Sequence, residues 1–146
     1  MSDVLRTLIV EDNTDDALLV MRQLEQAGYL LDHVRVVETP QAMEHAFDRE
    51  GWDIVIADCS MPYFSGAHAL EIVRQKDPEV AFIIVSGVIG EDTVRKAILA
   101  GADDYVSKDH LAQLPRAVER ALKKAEKRRG ELQVHDDTDA GDSQQL

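Results

Sequence analysis

Short apolar runs alternate with helix-spaced apolar positions five times along this chain. The first run, Leu5 to Val10, ends in Glu11-Asp12-Asn13-Thr14. Ala17, Val20, Met21 and Leu24 then recur at the spacing of one helix face, and Gly28 supplies a stop. A second strand is predicted over Asp32 to Val37. Thr39-Pro40 follows as an N-cap and first helical position, with Met43, Ala46 and Phe47 on the inner face and Gly51 at the end. The third strand, Asp53 to Ala57, runs into Asp58, and the loop Cys59-Ser60-Met61-Pro62-Tyr63-Phe64 leads to a helix carrying Ala69, Leu70 and Val73. The fourth strand, Ala81 to Val85, is apolar at every position, which means burial on both faces. After the loop Ser86 to Gly90, a fourth helix repeats Val94, Ala97 and Ile98 and stops at Gly101. The fifth strand, Asp104 to Ser107, closes on Lys108. His110 to Gln113 reads as a single turn, and Leu114-Pro115 opens a last helix with Val118, Ala121, Leu122 and Ala125 inside.

Strands alternating with helices in this way predict an α/β fold. The five units form a doubly wound, (βα)5 parallel sheet of five strands, a flavodoxin-like three-layer sandwich. In that class ligands bind outside the carboxyl ends of the strands, near the point where strand order reverses.

The chain has 146 residues, of which 45% are apolar and 30% charged, so one domain of ordinary size is expected. Its net charge of -12 argues against direct nucleic-acid binding, because the ligand is itself a polyanion. No apolar run approaches a membrane span. The opening MSDVLRT lacks the basic and apolar regions of a signal peptide, and a cytoplasmic location is the expectation. Residues 130–146 carry five acids and no Lys or Arg, which leaves 23 acids and 16 bases in residues 1–129. Composition therefore divides the chain into a folded unit over 1–129 and an acidic, disordered tail or linker over 130–146. The basic run Lys123, Lys124, Lys127, Arg128 and Arg129 before it reads as a helix end, where cations complement the dipole.

The predicted strand ends gather chemistry. Strand one delivers Glu11 and Asp12, strand three Asp58, strand four Ser86 and strand five Lys108. Three converging carboxylates repel one another by about 4 kcal/mol per pair at 4 Å and an effective dielectric of 20, so they require a cation. Hard oxygen ligands favour Mg²⁺, and a lysine beside them suits an anion such as a phosphoryl group. Taken singly, each residue has a plainer reading. Glu11 and Asp12 could be first-turn acids, Asp58 an Asx-turn residue, Ser86 a loop hydroxyl and Lys108 a surface lysine. Their arrival at successive strand ends favours a site that transfers phosphoryl groups.

Glu11-Asp12, Asp58 with Met61-Pro62 and Gly66, Ser86, Tyr105 and Lys108 resemble the signature of response-regulator receiver domains (CheY-like), over about residues 4–128. The resemblance implies a non-enzymatic, phosphorylation-activated switch of two-component signalling. Asp58 would accept a phosphoryl group from a histidine kinase or phosphotransfer protein. Glu11, Asp12, Asp58 and the backbone carbonyl of Ser60 would hold Mg²⁺. Lys108 and Ser86 would contact the phosphoryl group. Ser86 and Tyr105 would carry the switch to the face of the fourth helix, fifth strand and fifth helix, where Arg95, Lys96, Asp103 and Glu119 could pair with an output partner or a second copy. The pattern departs from the family at Asp109, where Pro is usual after the Lys, and at Ser65, where an acid is common.

Three other classes remain at this point. A flavin or nucleotide binder of the same fold would need a Gly- or Ser/Thr-rich phosphate loop after strand one, where this chain has Glu11-Asp12. A receiver used only as an unphosphorylated interaction module, and a receiver belonging to a longer sensory protein, share the same residues. The single Cys59 excludes an intramolecular disulfide, and the five His residues fall on separate elements without ligand spacing.

Overall fold

Five parallel strands form the centre of the structure, a computed structural model that describes residues 3–59, 61, 64–87 and 90–141, with side chains from residue 4 to residue 130 within those. In chain order the elements are β1 (Asp3–Val4), β2 (Thr7–Val10), α1 (Thr14–Gln26), β3 (Tyr29–Leu30), β4 (Val34–Val37), α2 (Pro40–Arg49) and β5 (Ile54–Ala57). They continue with α3 (Gly66–Lys76), β6 (Ala81–Ser86), α4 (Glu91–Leu99), β7 (Asp104–Ser107), a 3₁₀ turn (Lys108–Gln113) and α5 (Leu114–Gly141). The main sheet has the order β4-β2-β5-β6-β7, all parallel. The order reverses between β2 and β5, which puts a crevice at the carboxyl ends of those two strands.

Burial follows the apolar pattern. β2, β5 and β6 are buried at every position. On one face Val20 and Leu24 of α1 and Val118 and Ala121 of α5 close over Ile9, Ile56 and Ile83. On the other, Met43 of α2 and Leu70 and Val73 of α3 cover Leu8, Val55 and Phe82. Asn13, Thr39 and Ser65 cap α1, α2 and α3 by accepting the N–H of the residue three positions on. Each cap fixes where its helix leaves the sheet. Gly66 opens α3 where only glycine fits, because a Cβ there would lie 2.4 Å from the Cys59 Cβ.

The structure differs from the sequence pattern in four places. The expected first strand is broken: Arg6 donates its N–H to Asp53 Oδ2 and accepts from the Asp53 N–H, so Asp3–Val4 pairs with Tyr29–Leu30 as a separate small sheet. Helix α4 buries no residue. Its expected inner stripe meets a groove of about 650 Å³ against α3, lined by Leu70, Ile84 and Ala97, and Ile98 and Leu99 are exposed. The backbone of residues 130–141 continues α5 as helix, where composition suggested an irregular tail. Gly130, with no Cβ contact nearby, is followed by Glu131-Leu132-Gln133, good helix formers that let α5 run on.

The fourth difference is Asp103, which the sequence suggested for an outer face. It is buried and accepts from Arg128 at 2.7 and 3.0 Å and from the Phe82 N–H at 2.9 Å, with Arg74 3.6 Å away. Arg74 also donates to the carbonyls of Pro78, Val80 and Gly101. The carboxylate therefore pins α3, α5 and β6 together near the amino end of β7, far from the crevice. It is not available to a partner. Burial lowers the pKa of Arg74, and Asp103 opposes that.

Candidate functional site

The crevice begins with two adjacent strand ends. Glu11 N–H donates to the Val37 carbonyl at 3.0 Å, and Asp58 N–H donates to the Val10 carbonyl at 2.9 Å. Each bond extends the ladder by one residue and carries an acid just past the last apolar position. Both side chains are buried, Glu11 at 4% and Asp58 at 5% exposure, whereas Asp12 is exposed. One carboxylate oxygen from each of Glu11, Asp12 and Asp58 lies within 4.8 Å of the others. At an effective dielectric of 20, ionised carboxylates at that separation repel by about 3–4 kcal/mol per pair.

Lys108 supplies the compensating charge. It leaves the end of β7 and crosses the end of β6 to reach the acids. Its Nζ lies 3.0 Å from Glu11 Oε1, 2.9 Å from Asp58 Oδ2 and 2.8 Å from Asp16 Oδ2. The Lys108–Asp109 bond is trans, and Ser107 Oγ accepts the Asp109 N–H, starting the 3₁₀ turn directly after the lysine. Asp109 thus takes the place of a proline through a capped turn.

The predicted residues mostly converge. Glu11, Asp12, Asp58 and Lys108 meet at one point. Ser86 is fully buried at the end of β6, opposite Ser107 in register. Tyr105 is half-buried and donates its hydroxyl to the Gly87 carbonyl at 3.0 Å, so it is tied to the residue after Ser86. The backbone carbonyl of Ser60, expected as a metal ligand, lies outside the described residues.

Asp16 is the participant that sequence reasoning missed. It stands on the first turn of α1, just after the N-cap Asn13, and nothing in the local sequence signalled its reach to Lys108.

The electrostatics favour adding positive charge. Burial pushes the Glu11 carboxyl up to about 7, with the Lys108 hydrogen bond opposing and Asp58 adding to the rise. Burial also works against the Lys108 ammonium, but hydrogen bonds to Asp16, Asp58 and Glu11 together hold it above the ordinary lysine range. One ammonium faces four acids, an excess of negative charge that a divalent cation would balance. The all-oxygen donor set, partly open to solvent at Asp12, fits Mg²⁺.

Comparison with known proteins points the same way. The family model described as response regulator receiver domain matches residues 7–119. The chemotaxis protein CheY of Treponema pallidum is 34% identical over 112 residues, covering 70% of this chain and 72% of that protein. A protein-glutamate methylesterase/protein-glutamine glutaminase of Rhodospirillum centenum is 31% identical over 109 residues, 73% of this chain but 27% of that protein. The chain thus spans about a quarter of the methylesterase and about three quarters of the chemotaxis protein. The crystal structure of a response regulator receiver domain protein from Clostridium thermocellum superposes with a TM-score of 0.71 at 25% identity, over 85% of this chain and 97% of that one. Among the described residues no helix is long and apolar enough to cross a membrane.

The raised pKa of Glu11 gives a signed prediction. Its folded value of about 7 lies above the ordinary value of 4.5 expected in the unfolded chain, so the folded state holds the extra proton. The contribution of this carboxyl to metal-free stability is present below about 4.5 and is lost as pH rises through about 7. A divalent ion requires the ionised carboxylate. The gain in melting temperature on adding Mg²⁺ is therefore expected to grow between about pH 5.5 and 8. Thermal melts with Mg²⁺ and with chelator check this, and a gain that shrinks with rising pH would contradict it.

Proposed function

This chain belongs to the response regulator receiver family, and on that premise we propose that Asp58 is the phosphoacceptor of a signalling switch. The observation that carries the reading is a buried carboxylate with an ammonium 2.9 Å away, beside two further acids at the reversal of strand order. A carboxylate oxygen of Asp58 forms a bond to phosphorus while the bond between phosphorus and the donor breaks. The bonding pair leaves with the donor atom. The donor proposed is a histidine kinase or a phosphotransfer protein.

The residues divide the work. Lys108 keeps its charge at any physiological pH and steadies the oxygens of the transferred group. Glu11, Asp12 and Asp58 would hold Mg²⁺, which when bound neutralises charge on the phosphoryl oxygens. Ser86, buried at the same edge, supplies a hydroxyl to that group. All of these residues fall within 1–129, which we take as the receiver unit, with 130–146 outside the switch.

The product carries about -1.5 to -2 charges, by analogy with other phosphorylated side chains. Drawing Ser86 toward that charge disturbs the residue after it, and Gly87 is the acceptor for Tyr105. We propose that Tyr105 then turns inward and resets the face of α4, β7 and α5. Helix α4 suits this because none of its residues is buried, so it can shift at small cost in packing. Ile98, Leu99, Arg95 and Lys96 are exposed there, and they fit a protein partner or a second copy of the chain, whereas Glu119, expected on this face from the sequence, lines a groove with Leu5, Tyr29 and Leu122 instead.

Incubation with acetyl phosphate and Mg²⁺ is expected to add one phosphoryl group, read by intact mass. Asp58→Asn is expected to abolish it, and a chain ending at residue 129 to label like the full one. Labelling that survives in Asp58→Asn would refute the assignment.

For the switch, amide exchange is compared with and without beryllofluoride. Changes are expected in α4 and at Gly87, and Ser86→Ala is expected to reduce them. Changes confined to residues near Asp58, identical in Ser86→Ala, would overturn the coupling.

A further inference from the structure

The contacts of Lys108 hold more than the family site requires. An ammonium has three N–H donors, and here three carboxylates take them: Asp16 at 2.8 Å, Asp58 at 2.9 Å and Glu11 at 3.0 Å. A phosphoryl group on Asp58 brings new acceptor oxygens to the same place. Lys108 has no donor left for them until one contact yields.

Exposure decides which one. The side chains of Glu11 and Asp58 are 4% and 5% exposed, and that of Asp16 is 33% exposed. Removing Lys108 from a buried carboxylate takes away a contact that water cannot replace. Removing it from Asp16 lets water take its place. Asp16 also has support of its own. Its N–H donates to Asn13 Oδ1 at 3.0 Å, and it lies in the first turn of α1, where the helix dipole favours a negative side chain.

Resting on the phosphoacceptor reading of Asp58, we infer that Asp16 is a positioning residue that tethers Lys108 in the unphosphorylated state and gives it up when the phosphoryl group arrives. Asp16 thus opposes activation. It stabilises the resting arrangement and places one more negative charge near the incoming group. Its neighbour Asp15, on the same turn, is exposed and has no contact with Lys108 among the described residues, so it provides a control with equal charge.

The test measures the dissociation constant for beryllofluoride at saturating Mg²⁺ in the full chain and in Asp16→Asn and Asp15→Asn. Asp16→Asn is expected to bind about three- to fivefold tighter, the range for loss of a half-exposed ion pair, and Asp15→Asn to change less than about twofold. The ¹⁵N signal of the Lys108 ammonium supplies a readout that altered helix stability would not move. In unliganded Asp16→Asn it is expected to shift toward its position in the beryllofluoride-bound parent, and in Asp15→Asn to stay. Unchanged or weaker binding in Asp16→Asn, an equal effect in Asp15→Asn, or an unmoved ammonium signal overturns the tether. If the parent chain itself fails to bind beryllofluoride, the phosphoacceptor reading falls and this inference falls with it.

Discussion

One ammonium group, that of Lys108, stands against three carboxylates at the end of a parallel sheet, and the site is built around that imbalance. Two of those carboxylates, Glu11 and Asp58, are nearly inaccessible to water, so neither can carry its charge without a partner. Lys108 answers part of that need. The remainder pushes the Glu11 carboxyl up to about 7 and makes the crevice attractive to a divalent cation and to a group that can share it.

The fold produces this arrangement through burial. β2 and β5 are apolar to their last residue, so the first polar position after each falls at the same edge. The backbone bonds from Glu11 to Val37 and from Asp58 to Val10 then hold those positions level. The amino end of β7 shows the opposite solution to the same problem. There the single carboxylate of Asp103 meets two guanidiniums, Arg74 and Arg128, which also bond to nearby carbonyls. Its charge is answered within the protein and calls for no ligand. An ion network that answers its own carboxylate at one end of the sheet therefore holds the helices in place. An under-compensated one at the other end is left to chemistry.

The sequence announced most of this, for a physical reason. Strands buried on both faces must be apolar throughout, so their ends are sharp and Glu11, Asp58 and Lys108 stand out. The helix cap Thr39 was equally plain, because it is a short polar residue directly before a proline at the first helical position, and the structure adds Asn13 and Ser65 as caps of the same kind. What stayed hidden depends on contacts distant in the chain. Asp103 looked like a surface acid because its partners Arg74 and Arg128 are remote in sequence. Asp16 drew no reading from the sequence because its partner lies 92 residues away. The stripe of α4 predicted burial that the groove against α3 prevents.

The central claim is that Asp58 carries the phosphoryl group under the charge of Lys108, with Glu11 and Asp12 holding the metal. The most direct measurement is a crystal structure of this chain with Mg²⁺ and beryllofluoride. It is expected to show the beryllium joined to an Asp58 oxygen, the metal among Glu11, Asp12 and Asp58, and the Lys108 ammonium on a fluorine. Beryllofluoride density away from Asp58, or a metal bound outside these acids, would contradict the account.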